Sequence, residues 1–182
     1  MATLTGIVLA AGKGSRLGRP KALLLTAEGE PWIARAAGLL REAGCTRVLV
    51  VLGAAAEEAG GLVPVGCEIV VAENWADGMG ESLRVGLDAA SGDAALITLV
   101  DIPDLPVAVA ERMLEQPVTS HTLRQAVFDG RPGHPVLIGN AHWDAVASTL
   151  VGDRGARDYL AANGVREVEC GDLFDGHDVD RL

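Results

Sequence analysis

Aromatic side chains make up only 3% of the 182 residues, so a core built from this chain has to come from the Ala, Val, Leu and Ile that dominate its 49% hydrophobic content. Lysine is scarcer still. Lys13 and Lys21 are the only two, and every other basic residue is arginine. Cysteine occurs at Cys45, Cys67 and Cys170, far apart and with no C-x-x-C pair. That pattern argues against a disulfide frame or a zinc site and suits small buried thiols in a reducing compartment. No apolar run approaches membrane-spanning length. The N-terminal apolar stretch is short and lacks a positive region ahead of it, so no signal peptide is expected. Positive charge is also in deficit: the formal net charge is -10 and the pI is near 4.8. Such a chain is a poor non-specific binder of nucleic acid or anionic membrane. The expectation is a cytoplasmic protein with neither as a partner.

Against this acidic background one stretch is conspicuous: "IVLAAGKGSRLGRPKALL", residues 7–24. It places Lys13, Arg16, Arg19 and Lys21 among Gly12, Gly14 and Gly18, and no acidic residue precedes Glu28. A strand followed by a glycine-rich turn and cations is an arrangement that grips phosphate. Glycines let backbone N–H groups approach the oxygens while the cations supply charge. Two familiar versions are excluded by counting. The stretch has no G-x-x-x-x-G-K-[ST] frame. It also misses the G-x-G-x-x-G dinucleotide fingerprint, since three residues separate Gly14 from Gly18. Nor does the run ending at Leu52-Gly53 supply the carboxylate that would hold a ribose. What remains is L-A-A-G-x-G-x-R-L-G-x-x-K. A solvated turn balancing an acidic surface would not need its cations directly after a buried strand. The placing of both lysines here suggests that a compact ammonium is wanted, one able to reach between phosphates where a wide guanidinium fork fits poorly.

Elsewhere short β-branched runs alternate with helical periodicity. "TGIVLAA" (5–11), "RVLVVLG" (47–53), "EIVVAE" (68–73) and "AALITLVDI" (94–102) read as strands of a parallel sheet covered on both faces. Pro31 marks the start of a helix carrying Ile33, Ala37 and Leu40, which Gly44 can end. Ser82 can cap a second helix with Leu83 and Leu87, and a third follows Pro106, with Asp104 as a candidate cap. After about residue 118, "RQAVFDGRPGHPVLIG" (124–139) looks like a hairpin added at one edge. Helices follow near 140–149 and after Asp153, read as a cap, and "VREVEC" (165–170) reads as a last strand. With no linker in view, the expectation is one three-layer α/β domain over residues 1–182.

The glycine-rich stretch resembles the signature of nucleotidyltransferases that transfer a nucleoside monophosphate from an NTP. This group includes the sugar-phosphate and molybdopterin enzymes of the glycosyltransferase-A, or nucleotide-diphospho-sugar transferase, type. "ENWADGMGESLRVGL" (73–87), "LVDIPDL" (99–105), "GRPGHPVLIG" (130–139) and "GDRGARDYL" (152–160) extend the likeness in the family's order, and together look like the molybdenum cofactor cytidylyltransferase branch. The resemblance implies a three-layer α/β/α fold with a mixed, Rossmann-like sheet, and Mg²⁺-dependent transfer of CMP from CTP, or of another NMP, to a phosphorylated acceptor such as molybdopterin. It also implies a transient contact with a molybdoenzyme or its chaperone. Leu9, Ala10, Ala11, Gly12, Gly14 and Lys21 would hold the nucleotide. Arg16 and Lys21 would stabilise the leaving pyrophosphate, and Asp101, in the family's D-x-P motif, would be catalytic and hold the metal. The second carboxylate is expected at Asp178, then Asp180; here "DGHDVDRL" has Arg181 where the family usually has threonine. Asn74, Gly80 and Ser82 are implied at the base, and His134 at the border of the second substrate.

Several residues carry competing readings. Trp75 can stack on a base or simply anchor its loop. Arg154 and Arg157 can meet an acceptor phosphate or pair with Asp153 or Asp158. His121, His142 and His177 lack metal-ligand spacing. Rival functions stay open as well. The acceptor can be a sugar phosphate or another alcohol phosphate. This branch also resembles a nicotine blue oxidoreductase, in which the scaffold serves an NAD(P)H-dependent redox reaction. A binding module without turnover is the third alternative.

Overall fold

The structure, a computed structural model, describes residues 1–14 and 18–178. Among them the chain forms one mixed sheet in the order β3-β2-β1-β4-β6-β5-β7. The strands are β1 (Leu4–Ala10), β2 (Arg47–Leu52), β3 (Glu68–Val71), β4 (Ala94–Leu99), β5 (Leu123–Phe128), β6 (Arg131–Gly139) and β7 (Arg166–Glu169). The first four run parallel, β6 lies antiparallel to both β4 and β5, and β7 returns parallel to β5. The helices are α1 (Trp32–Glu42), α2 (Ala56–Gly60), α3 (Met79–Ala89), α4 (Val107–Leu114), α5 (Trp143–Thr149) and α6 (Arg157–Ala162).

The unbroken apolar texture of the central strands follows from burial on both faces. Val8 and Ala10 of β1 join Val50, Leu96, Ile33, Leu40, Val109 and Met113 in one core under α1 and α4. Ile7 and Leu9, pointing the other way, join Leu49, Val51, Ile97, Leu83 and Leu87 beneath α3, with Val146 and Leu160 from α5 and α6. Each fully buried Leu or Ile contributes about 1.5–3 kcal/mol. These two layers therefore dominate what holds the sheet in place. Gly86 lets α3 lie close: a Cβ there would meet Ile7 Cγ2 at 3.0 Å and Val51 Cγ2 at 3.2 Å.

Several sequence expectations need correcting. The hairpin is no appendage: β6 pairs with β4 through the sheet's middle, and β7 takes the edge. Pro31 is the cap of α1 and not its first residue. Ser82 lies a turn inside α3, whose cap is Gly78, so it is not the N-cap. Asp104 does not cap α4, which follows Pro106; it pairs with Arg35 at 2.8 Å. Asp153 caps α3, not the helix that follows it: its Oδ1 accepts from Met79 N at 3.2 Å. The motif loops take the chain out of β1, β3 and β4 earlier than the apolar runs suggested, at Ala10, Val71 and Leu99.

Candidate active site

A cleft of about 480 Å³ opens where β1 and β4 end. This is the carboxyl edge of parallel strands, where open α/β sheets bind ligands. Its floor is the end of β1, Leu9 and Ala10, continued by Ala11, Gly12, Lys13 and Gly14. The strands hold this segment rigidly, with Val100 N donating to Leu9 O and Ala54 N to Ala11 O. A Cβ on Gly12 would meet nothing within 4 Å, so bare backbone faces the opening. Gly14 is required for a different reason. Its φ is +63° and a Cβ there would lie 2.0 Å from Arg19 O, so the loop folds back only if no side chain is present. Arg16 lies outside the described residues.

The chain then turns at Pro20 into a short 3₁₀ turn, Lys21–Leu23, which aims Lys21 across the cleft. Lys21 Nζ donates to Asp101 Oδ2 at 2.8 Å, with the two side chains only 16% and 17% exposed. Asp101 Oδ1 is buried without a hydrogen-bond partner. Burial pushes the Asp101 carboxyl above its ordinary pKa; Lys21 pulls it down, and the charge of Asp178 raises it again. A buried carboxylate oxygen with nothing to accept from is costly unless a ligand completes it. With a second carboxylate close enough to be felt, this donor set suits a divalent cation that takes one or two carboxylates and fills its other positions from water and phosphate. Among the described residues no group of three or more His, Cys, Asp or Glu could hold a metal, so a closed protein cage is not formed.

The tail that carries Asp178 is tied down at several points. Glu169 at the end of β7 accepts from the backbone N–H groups of Asp129, Gly130 and Gly171. Arg112 of α4 grips Asp172 with two hydrogen bonds, and Phe174 packs edge-on against Phe128. Arg131 donates to Asp175 O, and His177 bonds Asp175.

The opposite wall of the cleft is Trp75, Ala76, Gly78, Met79 and Ser82, with Asp153 above them. Ser82 is buried and lines the cleft. Gly80 does not. A Cβ on it would sit 3.0 Å from Gly152 O, so its part is to seat the 152–155 loop on α3. Asn74 is exposed and outside the lining, its carbonyl accepting from Asp77 N. Trp75 packs against Gly53, where a Cβ would be 2.6 Å from Trp75 Cβ, and it also lines the cleft.

A second cavity of about 230 Å³ adjoins the first, and Leu9 and Met79 line both. Leu83, Ile97, Val136, Ile138 and Leu160 give it apolar walls; Gln125, His134, Arg154 and Arg157 supply the polar groups. His134 sits within β6 rather than in a turn, and burial pushes its pKa down to about 4. Its imidazole is thus neutral over the physiological range. Arg154 pairs with Asp158 at 3.3 Å, both side chains well exposed. His142 bonds the Tyr159 hydroxyl and the His121 carbonyl, which accounts for it structurally. Burial pushes the Cys45 thiol up to about 12, leaving it inert.

Sequence reasoning missed Gly78, Gln125 and the cleft-facing role of Asp153. The "GDRG" stretch offered the signal for Asp153, but a carboxylate before a helical pattern reads first as that helix's own cap.

A cleft of bare backbone, lysine and a half-satisfied carboxylate thus lies at the carboxyl ends of a doubly covered α/β sheet. The family description "MobA-like NTP transferase domain" matches residues 6–168. The chain belongs to that family, and by class it is a nucleotidyltransferase enzyme. The chain is 38% identical over 191 aligned residues to the nicotine blue oxidoreductase of Paenarthrobacter nicotinovorans, covering 98% of this chain and 93% of that protein. Among solved structures, Rv0371c of Mycobacterium tuberculosis H37Rv superposes with a TM-score of 0.81 at 28% identity, covering 100% of this chain and 95% of the other. A manganese complex of Rv0371c superposes at 0.74 and 24%, covering 92% and 88%. A nucleotidyl transferase from Methanothermobacter thermautotroptrophicus shares the fold at 0.79 and 21%, covering 98% and 92%. No helix among the described residues is long and apolar enough to cross a membrane.

Proposed function

We propose that this enzyme transfers a nucleoside monophosphate, CMP from CTP in the first instance, to a phosphorylated small molecule of the molybdopterin kind, releasing pyrophosphate. The observation that carries this reading is the Lys21–Asp101 pair under the glycine loop, in which one carboxylate oxygen is bound by the lysine and the other is buried without a partner. Asp101, with Asp178 beside it, would hold Mg²⁺ or Mn²⁺. The manganese complex of Rv0371c supports a divalent ion in this family. Such an ion, when bound, neutralises triphosphate charge and orients the α-phosphate.

The chain's own residues do the rest. Backbone of Ala11 to Gly14 binds the phosphates, and Lys21 and Arg16 offset the charge that develops on the departing pyrophosphate. Ser82 and Trp75 border the base. An oxygen of the acceptor phosphate attacks the α-phosphorus, a new P–O–P bridge forms, and the bond to the β-phosphate oxygen breaks. The acceptor phosphate is ionised at neutral pH, so no general base is needed and catalysis is positioning plus electrostatics. The adjoining cavity, apolar with Arg154 and Arg157 at its polar side and a neutral His134 in its wall, suits an acceptor with a flat body and an anionic end.

The test is direct. Nucleoside triphosphates are screened with Mg²⁺ or Mn²⁺ for thermal stabilisation, and the best is assayed for pyrophosphate release with molybdopterin. Stabilisation that needs both nucleotide and metal is expected; a chain that no triphosphate stabilises does not have this function. One second reading has an observation behind it, the 38% identity to nicotine blue oxidoreductase. Metal-independent oxidation of NADH by a coloured heteroaromatic acceptor, without pyrophosphate release, would establish it instead.

A further inference from the structure

The cleft contains one carboxylate that the transfer chemistry above does not use. Asp153 lines it beside Trp75, Met79 and Ser82. The 152–155 loop is held down by two missing side chains: a Cβ on Gly78 would lie 2.5 Å from Gly152 C and 2.8 Å from Asp153 Oδ1, and one on Gly80 would lie 3.0 Å from Gly152 O. In that position Asp153 Oδ1 accepts the Met79 N–H, which fixes the carboxylate's orientation. Its neighbour Arg154 bonds Asp158 instead. The carboxylate whose charge bears on Asp101 is Asp178. Asp153 therefore belongs to the α3 wall and not to the candidate metal site.

An ionised carboxylate only accepts hydrogen bonds. Phosphate oxygens offer it nothing, whereas the nucleoside end of an NTP carries donors, the ribose hydroxyls and an exocyclic amine. The end of β2, where dinucleotide folds place a ribose-binding carboxylate, has none, its last residue being Leu52. We infer that Asp153 is a specificity-determining residue that accepts a hydrogen bond from the nucleoside moiety of the NTP. This inference rests on the nucleotidyltransferase reading above.

Asp153→Asn separates recognition from capping. The asparagine keeps α3 capped only with its Oδ1 on the Met79 N–H, which puts an NH₂ in place of the second carboxylate oxygen, so that a donor would meet the nucleoside's donor. Affinity is measured by calorimetry for the best-bound triphosphate, its 2′-deoxy and 3′-deoxy forms, and the form lacking the exocyclic amine (UTP for CTP, inosine triphosphate for a purine). The wild type is expected to discriminate against one of these analogues. Asp153→Asn should lose about tenfold in affinity for the full nucleotide and erase that one discrimination, with the melting temperature of the free protein unchanged. A hydroxyl contact closes the gap to a deoxy form, and an amine contact closes the other. A variant that binds the whole panel as the wild type does overturns the inference while leaving the transferase reading intact. A wild type that binds no triphosphate removes both.

Discussion

Two titratable groups, one in each cavity, are treated in opposite ways. In the first cleft Asp101 is kept beside a lysine at 2.8 Å, with its other oxygen buried and its pKa raised by desolvation. In the adjoining cavity His134 is stripped of charge by burial, its pKa pushed down to about 4, and nothing ionic compensates. The first group leaves one oxygen that a cation could complete; the second stays neutral, and the wall that holds it stays uncharged. One fold thus divides its polar chemistry between a charged floor at β1 and β4 and an uncharged wall at β6. The proposed transfer, which joins a polyanion to a larger, partly apolar acceptor, would use that division.

The comparison breaks most sharply at Asp101. Asp101→Asn keeps an acceptor for Lys21 but removes the charge, and activity should fall by about 10²–10³-fold. Because burial raises the pKa of this carboxyl, ionising it in the folded protein works against stability. The melting temperature without metal and nucleotide should therefore hold or rise. A variant that turns over normally, or one that simply unfolds, removes the special status of this group. Lys21→Ala is the next test. It deletes a charge-assisted contact, leaves the Asp101 carboxylate unpaired on both oxygens, and should weaken triphosphate binding and turnover together by about ten- to a hundredfold. Unaltered kinetics would mean that the pair is only structural.

The charged floor was legible in the sequence because its parts are local. Gly12, Gly14 and Lys21 fall within one loop, and a strand followed by D-I-P announces Asp101. The parallel half of the sheet was legible for the same reason, since burial on both faces writes itself as continuous Val, Ile and Leu. The uncharged wall was not. His134 sits in a run of glycine and prolines that reads as a turn, and only pairing with β4 and β5 shows it to be strand. Asp153 and Gly80 act through a contact between segments some seventy residues apart, which no local pattern encodes. The resemblance implies Ser82 at the base, and its spacing suggests a helix cap because a serine before an apolar period fits one; it lines the cleft from a turn inside α3 instead of capping it. Asp178 reaches the neighbourhood of Asp101 only through the tethers at Glu169, Asp172 and Phe174, all of them tertiary.

The smallest effect concerns His134 and sharpens the contrast from its neutral side. Above about pH 6.5 this imidazole is neutral in the folded and unfolded chain alike, so it adds no pH dependence. Below that, the unfolded chain binds a proton that the folded chain refuses until about pH 4, so stability drains away as the solution is acidified through this window. His134→Gln removes the difference in proton uptake and keeps a polar side chain of similar length. Whatever it does to the melting temperature at pH 7.5, the fall between pH 7 and pH 4.5 should be shallower than in the wild type by a few degrees. Parallel melting curves for the two proteins would mean that His134 ionises freely in the folded state. The wall at β6 would then be able to carry charge, and the second cavity would no longer differ in kind from the floor of the first.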